Sequence, residues 1–175
     1  MNVPNLLTIF RLFLIPIFVL VFFSNLPSSL LLSICIFLLA GVTDILDGYI
    51  ARKYKLITAW GTVADPFADK LMLLTVLTCM VLGNYLPPWV LIIVLAKESF
   101  MIMFGILLYK KGTIIPSNIF GKLSTIFFYL SIFVFAFYED IGKHLIYLSV
   151  LFALVALTNY SFFYMKNHKG TLSKK

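Results

Sequence analysis

Charged residues are scarce in this 175-residue chain: they make up 12% of it, whereas 62% is hydrophobic. Soluble domains carry about a quarter charged residues, and one small core could not enclose this much apolar surface. The composition therefore excludes an ordinary water-soluble domain and predicts that lipid covers part of the surface. Cysteine is scarce as well. Cys35 and Cys79 each stand in an apolar run, without the Cys/His spacing of a metal site, and are predicted to be inert packing residues.

Two features could suggest other classes of protein, but for each of them the chain lacks the supporting pattern. Its net charge of +7 could indicate nucleic-acid binding, but the basic residues form short clusters between apolar segments, where they indicate membrane topology instead. Residues 12–23 are apolar and follow Arg11, as in a signal peptide, but no small-x-small cleavage site follows them. This segment is therefore predicted to be the first membrane helix.

Six apolar segments predict an all-α polytopic membrane protein with six transmembrane helices. Each segment is long enough to cross or nearly cross a bilayer at about 20 residues, and the hydrophobic runs are continuous rather than alternating. The predicted helices lie near 5–23, 29–51, 63–83, 88–109, 118–138 and 143–165. Residues 1–165 would form the transmembrane domain, and 166–175 a basic cytoplasmic tail.

The distribution of lysine and arginine predicts the orientation of the chain. Six crossings put both termini on one side, and that side receives nearly all of the loop and tail cations: Arg52, Lys53, Lys55, Lys110, Lys111, Lys166, Lys169, Lys174 and Lys175. The opposite loops hold only Lys143, beside Glu139 and Asp140. Because cytoplasmic loops carry the excess of Lys and Arg, both termini are predicted to be cytoplasmic.

Four of the seven acidic residues stand close together in sequence: Asp44, Asp47, Asp65 and Asp69. A carboxylate at membrane depth is costly without a partner and usually marks a functional site. Spacings of three and four residues place each pair on one helix face. Two antiparallel neighbouring helices would then gather four carboxylates near the cytoplasmic surface, where they would need cations to stay ionised.

Oxygen ligands select hard divalent ions such as Mg²⁺ or Mn²⁺, and four carboxylates can hold two of them. A two-metal site suits an in-line displacement at phosphorus. Gly48 and Gly61 would let a substrate approach the backbone. From the carboxylates alone, a divalent-cation transporter is as good an explanation as an enzyme, because intramembrane acids mark both.

The full spacing of this region resembles the signature of the CDP-alcohol phosphotransferases. Eight fixed positions within 26 residues match it without a departure: Asp44, Asp47, Gly48, Ala51, Arg52, Gly61, Asp65 and Asp69. The PNLLTIFR opening, the six-helix plan and the length resemble the bacterial phosphatidylglycerophosphate synthases in particular. The resemblance implies a bacterial inner-membrane enzyme, with its active site facing the cytoplasm. It would transfer a phosphatidyl group from CDP-diacylglycerol to an alcohol hydroxyl and release CMP.

The resemblance also implies roles for individual residues. Asp44, Asp47, Asp65 and Asp69 would bind two Mg²⁺ or Mn²⁺ ions, and Asp69 would also be the catalytic base that takes the proton of the acceptor. The cytidine-diphosphate pocket would be lined by residues of the signature and of the opening motif: Asn5, Thr8, Gly48, Ala51, Arg52 and Gly61. The family resemblance further suggests a homodimer.

The acceptor is expected to be glycerol 3-phosphate, with Arg11, Lys97 and Lys122 forming a pocket for its phosphate. Two departures from the synthases bear on this pocket. Lys97-Glu98 stands where they often show Arg-Glu, and Ser124 where they often show a second lysine. Lys97 could instead simply balance an acid. The same chemistry with phosphatidylglycerol, an inositol phosphate or serine as acceptor therefore stays open.

Overall fold

The computed structural model of the chain describes residues 2–56, 58–110 and 119–172, with side chains described in these ranges except at 59, 104–110, 120 and 160–172. Six α-helices account for most of these residues: α1 (Val3–Phe22), α2 (Ser29–Lys53), α3 (Ala59–Leu82), α4 (Pro88–Lys110), α5 (Ile119–Phe135) and α6 (Glu139–Leu172). The predicted all-α class and the number of helices are confirmed for the described residues, and six membrane crossings stay a prediction. Lys111, Lys174 and Lys175, which the predicted orientation uses, lie outside the described residues.

Three helix boundaries differ from the prediction by four residues or more. Helix α3 begins at Ala59, four residues before the predicted start, because the Thr58 side chain caps the helix by accepting a hydrogen bond of 3.0 Å from the Gly61 backbone N–H. Asp65 therefore lies nearly two turns into α3 rather than in its first turn. Helix α6 begins at Glu139, four residues before the predicted start, and continues to Leu172, so its backbone includes most of the segment predicted as a tail.

Close contacts divide the chain into two compact units, Met1–Leu91 and Ile92–Lys175. In the first unit α1 packs against α2 and α3, and α2 also contacts α3. The buried residues of α1 recur every three or four positions and so form one helix face: Pro4, Thr8, Arg11, Leu14, Phe18 and Phe22. This face is polar toward the start of α1 and apolar toward its end, where Phe18 joins Phe37, Met72 and Leu77 in the core.

The second unit is built on the antiparallel pair α5 and α6, which are joined by a short turn. Ile132 and Phe135 of α5 and Ile146 and Ala156 of α6 are almost fully buried. Gly142 follows the turn, and a Cβ atom at this position would lie 2.5 Å from the Cα atom of Phe135. The close approach of the two helices therefore requires glycine here.

Three helical segments within the described residues are long and apolar enough to cross a membrane: Val3–Phe22, Ser29–Lys53 and Glu139–Asn159. The helical segment Gly121–Phe135 is apolar but shorter. Large apolar side chains are exposed on the first unit, among them Leu20, Ile45 and Val63, each more than 70% accessible. Length, composition and this exposed apolar surface are those of a membrane protein.

Candidate active site

The four aspartates lie on α2 and α3 within the first unit. Asp44 and Asp47 are one turn apart on α2 and face α1, while Asp65 and Asp69 are one turn apart on α3. Asp44 lies within electrostatic range of both Asp65 and Asp69, and Asp47 within range of Asp65. Asp47 is buried and the other three are partly buried. The aspartate pairs of α2 and α3 thus lie within electrostatic range of each other.

Arg11 of α1 supplies the positive charge beside the α2 pair. Its guanidinium is 1% exposed, with Nη1 2.5 Å from Oδ1 of Asp44 and Nη2 in contact with Oδ2 of Asp47. A buried guanidinium needs such partners because an unpaired buried charge is strongly destabilising, and its planar fork suits two carboxylates on one helix face. The structure therefore places Arg11 in the aspartate cluster itself.

Thr8 connects the start of α1 to α3. Its hydroxyl is fully buried and donates a hydrogen bond to Oδ1 of Asp65, and it also lies 3.2 Å from the carbonyl oxygen of Pro4. Thr8 and Arg11 are three residues apart on the same face of α1. Together they make α1 the element that orients carboxylates of both α2 and α3.

Asn5, one turn before Thr8, makes a second connection between α1 and α3. The Thr58 hydroxyl donates a hydrogen bond of 3.0 Å to Oδ1 of Asn5. The hydroxyl oxygen of Thr58 also caps α3 by accepting from the Gly61 N–H. A Cβ atom on Gly61 would lie 3.1 Å from Oγ1 of Thr58, 3.2 Å from Oδ1 of Asn5 and 3.5 Å from Oδ2 of Asp65. Three polar side chains therefore converge over the backbone of Gly61.

A cavity of about 180 Å³ opens beside this junction. Its lining combines the start of α1, the end of α2 and the start of α3: Pro4, Asn5, Gly48, Ala51, Arg52, Leu56, Thr58, Gly61, Thr62 and Asp65. Five of the six residues predicted to line a cytidine-diphosphate pocket are in this set. The sixth, Thr8, bonds to Asp65 at its edge. Their roles in binding stay predictions, but they surround one space.

The sequence reasoning missed two threonines of this lining, Thr58 and Thr62. Thr58 carried a usable signal, because threonine is favoured at the N-cap of a helix and stands immediately before the run that forms α3. Thr62 carried no signal of its own, since its hydroxyl donates to the carbonyl oxygen of Thr58 at 2.9 Å within the helix. Neither threonine was predicted to belong to α3, because the helix was expected to begin near residue 63.

The donor chemistry of the cluster fits hard divalent cations, because all four acidic side chains offer oxygen. Contacts with Arg11 and Thr8 engage one oxygen each of Asp44, Asp47 and Asp65, and the second oxygen of each takes no part in them. As the carboxylates stand, no three acidic, cysteine or histidine side chains in the described part of the chain are grouped as metal ligands.

The remaining predicted residues of the acceptor pocket lie in the second unit. The Nζ atom of Lys97 is 2.6 Å from Oε1 of Glu98, and both side chains are buried. This pair matches the alternative that Lys97 balances an acid. Lys122 is exposed near the start of α5. Ser124 is buried and donates to the carbonyl oxygen of Ser149 at 3.0 Å, which connects α5 to α6.

Comparisons with known proteins point to one family. The sequence profile of the family described as CDP-alcohol phosphatidyltransferase matches residues 1–155. A relative from Rickettsia bellii, named CDP-diacylglycerol–glycerol-3-phosphate 3-phosphatidyltransferase, is 33% identical over 172 residues, which cover 93% of each chain. A relative of the same name from Bacillus subtilis is 32% identical over 136 residues, covering 71% of this chain and 70% of its own. Another from Haemophilus influenzae is 50% identical over 80 residues, covering 46% of this chain and 43% of its own.

Proposed function

Because the chain belongs to the CDP-alcohol phosphatidyltransferase family, we propose that it transfers a phosphatidyl group from CDP-diacylglycerol to glycerol 3-phosphate. The products are phosphatidylglycerophosphate, a precursor in phospholipid biosynthesis, and CMP. One observation carries this proposal: relatives named for this reaction align with almost the whole chain. The cavity lined by the signature residues beside Asp65 supports it, because a nucleotide diphosphate would there lie next to the acidic cluster.

The reaction is an in-line displacement at the phosphorus of the phosphatidyl group. The acceptor hydroxyl oxygen forms a bond to that phosphorus, the bond from phosphorus to the bridging oxygen breaks, and CMP leaves with that oxygen. Two Mg²⁺ or Mn²⁺ ions held by Asp44, Asp47, Asp65 and Asp69 would neutralise the diphosphate and stabilise the leaving CMP. Asp69 is the proposed base and receives the proton of the acceptor hydroxyl.

The cavity residues have roles in binding. Gly48, Ala51 and Gly61 present little side chain, which leaves room for the nucleotide near the backbone of α2 and α3. Arg52 is exposed at the end of α2, where its guanidinium can pair with a phosphate. Asn5 offers an amide to the same space, and Thr8 holds Asp65 in place at its edge.

In the membrane, the chain would make six crossings with both termini in the cytoplasm. It would act as a homodimer in a bacterial inner membrane. The active site would then face the cytoplasm, from which water-soluble glycerol 3-phosphate arrives. A site just inside that surface lets the CDP head group stay near water and the acyl chains stay in lipid. Arg11, Lys97 and Lys122 remain the proposed contacts for the acceptor phosphate.

Release of CMP by the purified full chain tests this function. CDP-diacylglycerol and Mg²⁺ or Mn²⁺ would be supplied with glycerol 3-phosphate, phosphatidylglycerol, an inositol phosphate or serine, each separately. We expect release with glycerol 3-phosphate alone. Asp69→Asn should abolish it, whereas Asp140→Asn, a matched change at an exposed aspartate of α6, should leave it intact.

The other outcomes are equally informative. Release with another acceptor only would keep the family chemistry and overturn the assignment of glycerol 3-phosphate. Activity retained by Asp69→Asn would remove Asp69 from its role as base. Absence of release with every acceptor from a folded protein would contradict the enzyme and favour divalent-cation transport, which should then be measured directly with Mn²⁺ in proteoliposomes.

A further inference from the structure

Thr58 lies outside the eight-position signature, yet its hydroxyl connects three parts of the candidate site. It accepts a hydrogen bond from the Gly61 N–H, donates one to Oδ1 of Asn5, and lines the cavity. The two bonds join the first turn of α3 to the first turn of α1, although the residues are 53 positions apart. A cap that only stabilised α3 would not need the second bond.

The structure places the carbonyl end of the Asn5 amide toward Thr58. The hydroxyl of Thr58 has one hydrogen to donate. It donates this hydrogen to Oδ1 of Asn5, while its oxygen accepts from the Gly61 N–H. The NH₂ group of Asn5 then points away from Thr58. It has no hydrogen-bond partner within the described ranges, and Asn5 lines the cavity.

We propose that Thr58 is a positioning residue for nucleotide binding, which holds the Asn5 amide with its NH₂ group available to an acceptor oxygen of a cytidine diphosphate group. The inference rests on the proposed function, because it assigns the cavity to such a ligand. A hydrogen-bond donor preset in one orientation binds more tightly than a freely turning amide, since less freedom is lost when the ligand arrives.

Gly61 limits how this connection can be made. The hydroxyl of Thr58 and the amide oxygen of Asn5 lie so close above its backbone that a Cβ atom would approach both within 3.2 Å. The absence of a side chain at Gly61 therefore lets the two groups meet. A valine in place of Thr58 would keep the shape of the side chain and remove both hydrogen bonds, so it isolates the polar contribution.

The test measures CDP binding to the detergent-solubilised full chain by titration calorimetry in the presence of Mn²⁺. Thr58→Ser, which retains the hydroxyl, should bind as the parent does. Thr58→Val should raise the Kd about three- to tenfold, as expected for loss of one hydrogen bond. Thr78→Val is the matched control, because the Thr78 hydroxyl donates to the Leu74 carbonyl oxygen within α3 and lies outside the cavity lining.

A double-mutant cycle separates positioning from general damage to the fold. If Thr58 acts through Asn5, adding Thr58→Val to Asn5→Ala should not weaken CDP binding further. Where loss of the cap prevents folding of the valine variant, Thr58→Gly replaces it, because glycine is tolerated at N-caps. Equal Kd values for parent and Thr58→Val, or full additivity in the cycle, would overturn the inference alone. Absence of CDP binding to the parent would overturn the proposed function with it.

Discussion

Arg11 is the side chain on which the acidic cluster most depends. Its guanidinium contacts both Asp44 and Asp47, whose carboxylates lie on one face of α2. The sequence predicted the shared face, because spacing within a helix is local geometry. It could not predict the partner, since Arg11 is 36 residues away from Asp47 and the contact depends on how α1 is rotated against α2.

Replacing Arg11 should therefore test the cluster through stability. Arg11→Met leaves the buried Asp47 carboxylate without its partner and should lower the free energy of unfolding by about 3 kcal/mol, with a smaller loss for Arg11→Lys, which cannot span both carboxylates. Thermal unfolding in detergent would measure this. Added Mn²⁺ should recover more stability in Arg11→Met than in the parent, because a bound cation can replace the missing positive charge.

Lys143 offers a matched comparison for this prediction. It pairs with Glu139 at 2.6 Å one turn away on α6, but the pair is exposed. Lys143→Met should therefore change the free energy of unfolding by no more than about 0.5 kcal/mol. An Arg11→Met protein as stable as the parent would show that the contacts to Asp44 and Asp47 do not hold this part of the fold together.

Gly48 and Gly61 both line the cavity, but a methyl group would meet different surroundings at each. At Gly48 the nearest atom would be Nη2 of Arg52 at 3.6 Å, an ordinary contact with a flexible side chain. Gly48→Ala should then stabilise helix α2 by up to about 1 kcal/mol. It should still lower turnover, because the methyl group occupies space proposed for the nucleotide.

Gly61→Ala should lower turnover without that gain in stability, because its methyl group would displace Asn5 and Thr58. Thermal unfolding and CMP release measured on both alanine variants would compare them directly. Normal turnover in Gly48→Ala would mean that the substrate does not approach this part of α2.

At the scale of the helices, hydrophobic runs predicted how many there are and roughly where they lie. They failed at the start of α3, because the first turn contains Trp60, Gly61 and Thr62 and is not a continuous apolar run. The cap by Thr58 starts the helix there instead. Runs of apolar residues also cannot show which face of a helix is buried when nearly every position is apolar, as in α1.

The close contact between α5 and α6 is another feature that hydrophobic pattern does not reveal. A Cβ atom at Gly142 would lie 2.5 Å from the Cα atom and 2.8 Å from the backbone nitrogen of Phe135. Because backbone cannot move aside as a side chain can, Gly142→Ala should lower the free energy of unfolding by about 1–3 kcal/mol. Thermal unfolding would measure the loss.

Gly48→Ala provides the control for this change as well, since it adds the same methyl group to a helix without a close backbone neighbour. The two variants should shift the unfolding midpoint in opposite directions. A Gly142→Ala protein with the midpoint of the parent would mean that α5 and α6 separate easily at this turn.

At the scale of the whole molecule, the family follows from a short signature because eight positions combine local spacing with residue type. In the first unit, five of those positions line one cavity: Gly48, Ala51, Arg52, Gly61 and Asp65. Asp44 lies within electrostatic range of Asp65. The identity of the acceptor alcohol is harder to predict from the sequence than the family is. Lys97 and Lys122 stand in the second unit, where Lys97 contacts its neighbour Glu98, and charge alone does not distinguish a phosphate contact from an internal ion pair.

The six crossings and the orientation of the chain stay predictions. Among the described residues, three helical segments meet the length and composition of a membrane span. Six crossings with cytoplasmic termini place the end of α2 inside the cell and the turn between α5 and α6 outside it. In a background of Cys35→Ser and Cys79→Ser, Glu139→Cys should react with a membrane-impermeant maleimide on intact cells or spheroplasts. Lys53→Cys should react only after the membrane is permeabilised.

Both positions suit this experiment, because Glu139 begins α6 and Lys53 ends α2 with exposed side chains. The excess of Lys and Arg on the predicted inner side is the physical reason for the expected pattern. Labelling of Lys53→Cys from outside would reverse the orientation and place the candidate site away from cytoplasmic glycerol 3-phosphate. Labelling of both positions from outside would place Lys53 and Glu139 on the same side of the membrane. An even number of crossings would then separate them instead of the three predicted for α3, α4 and α5, which would contradict six crossings.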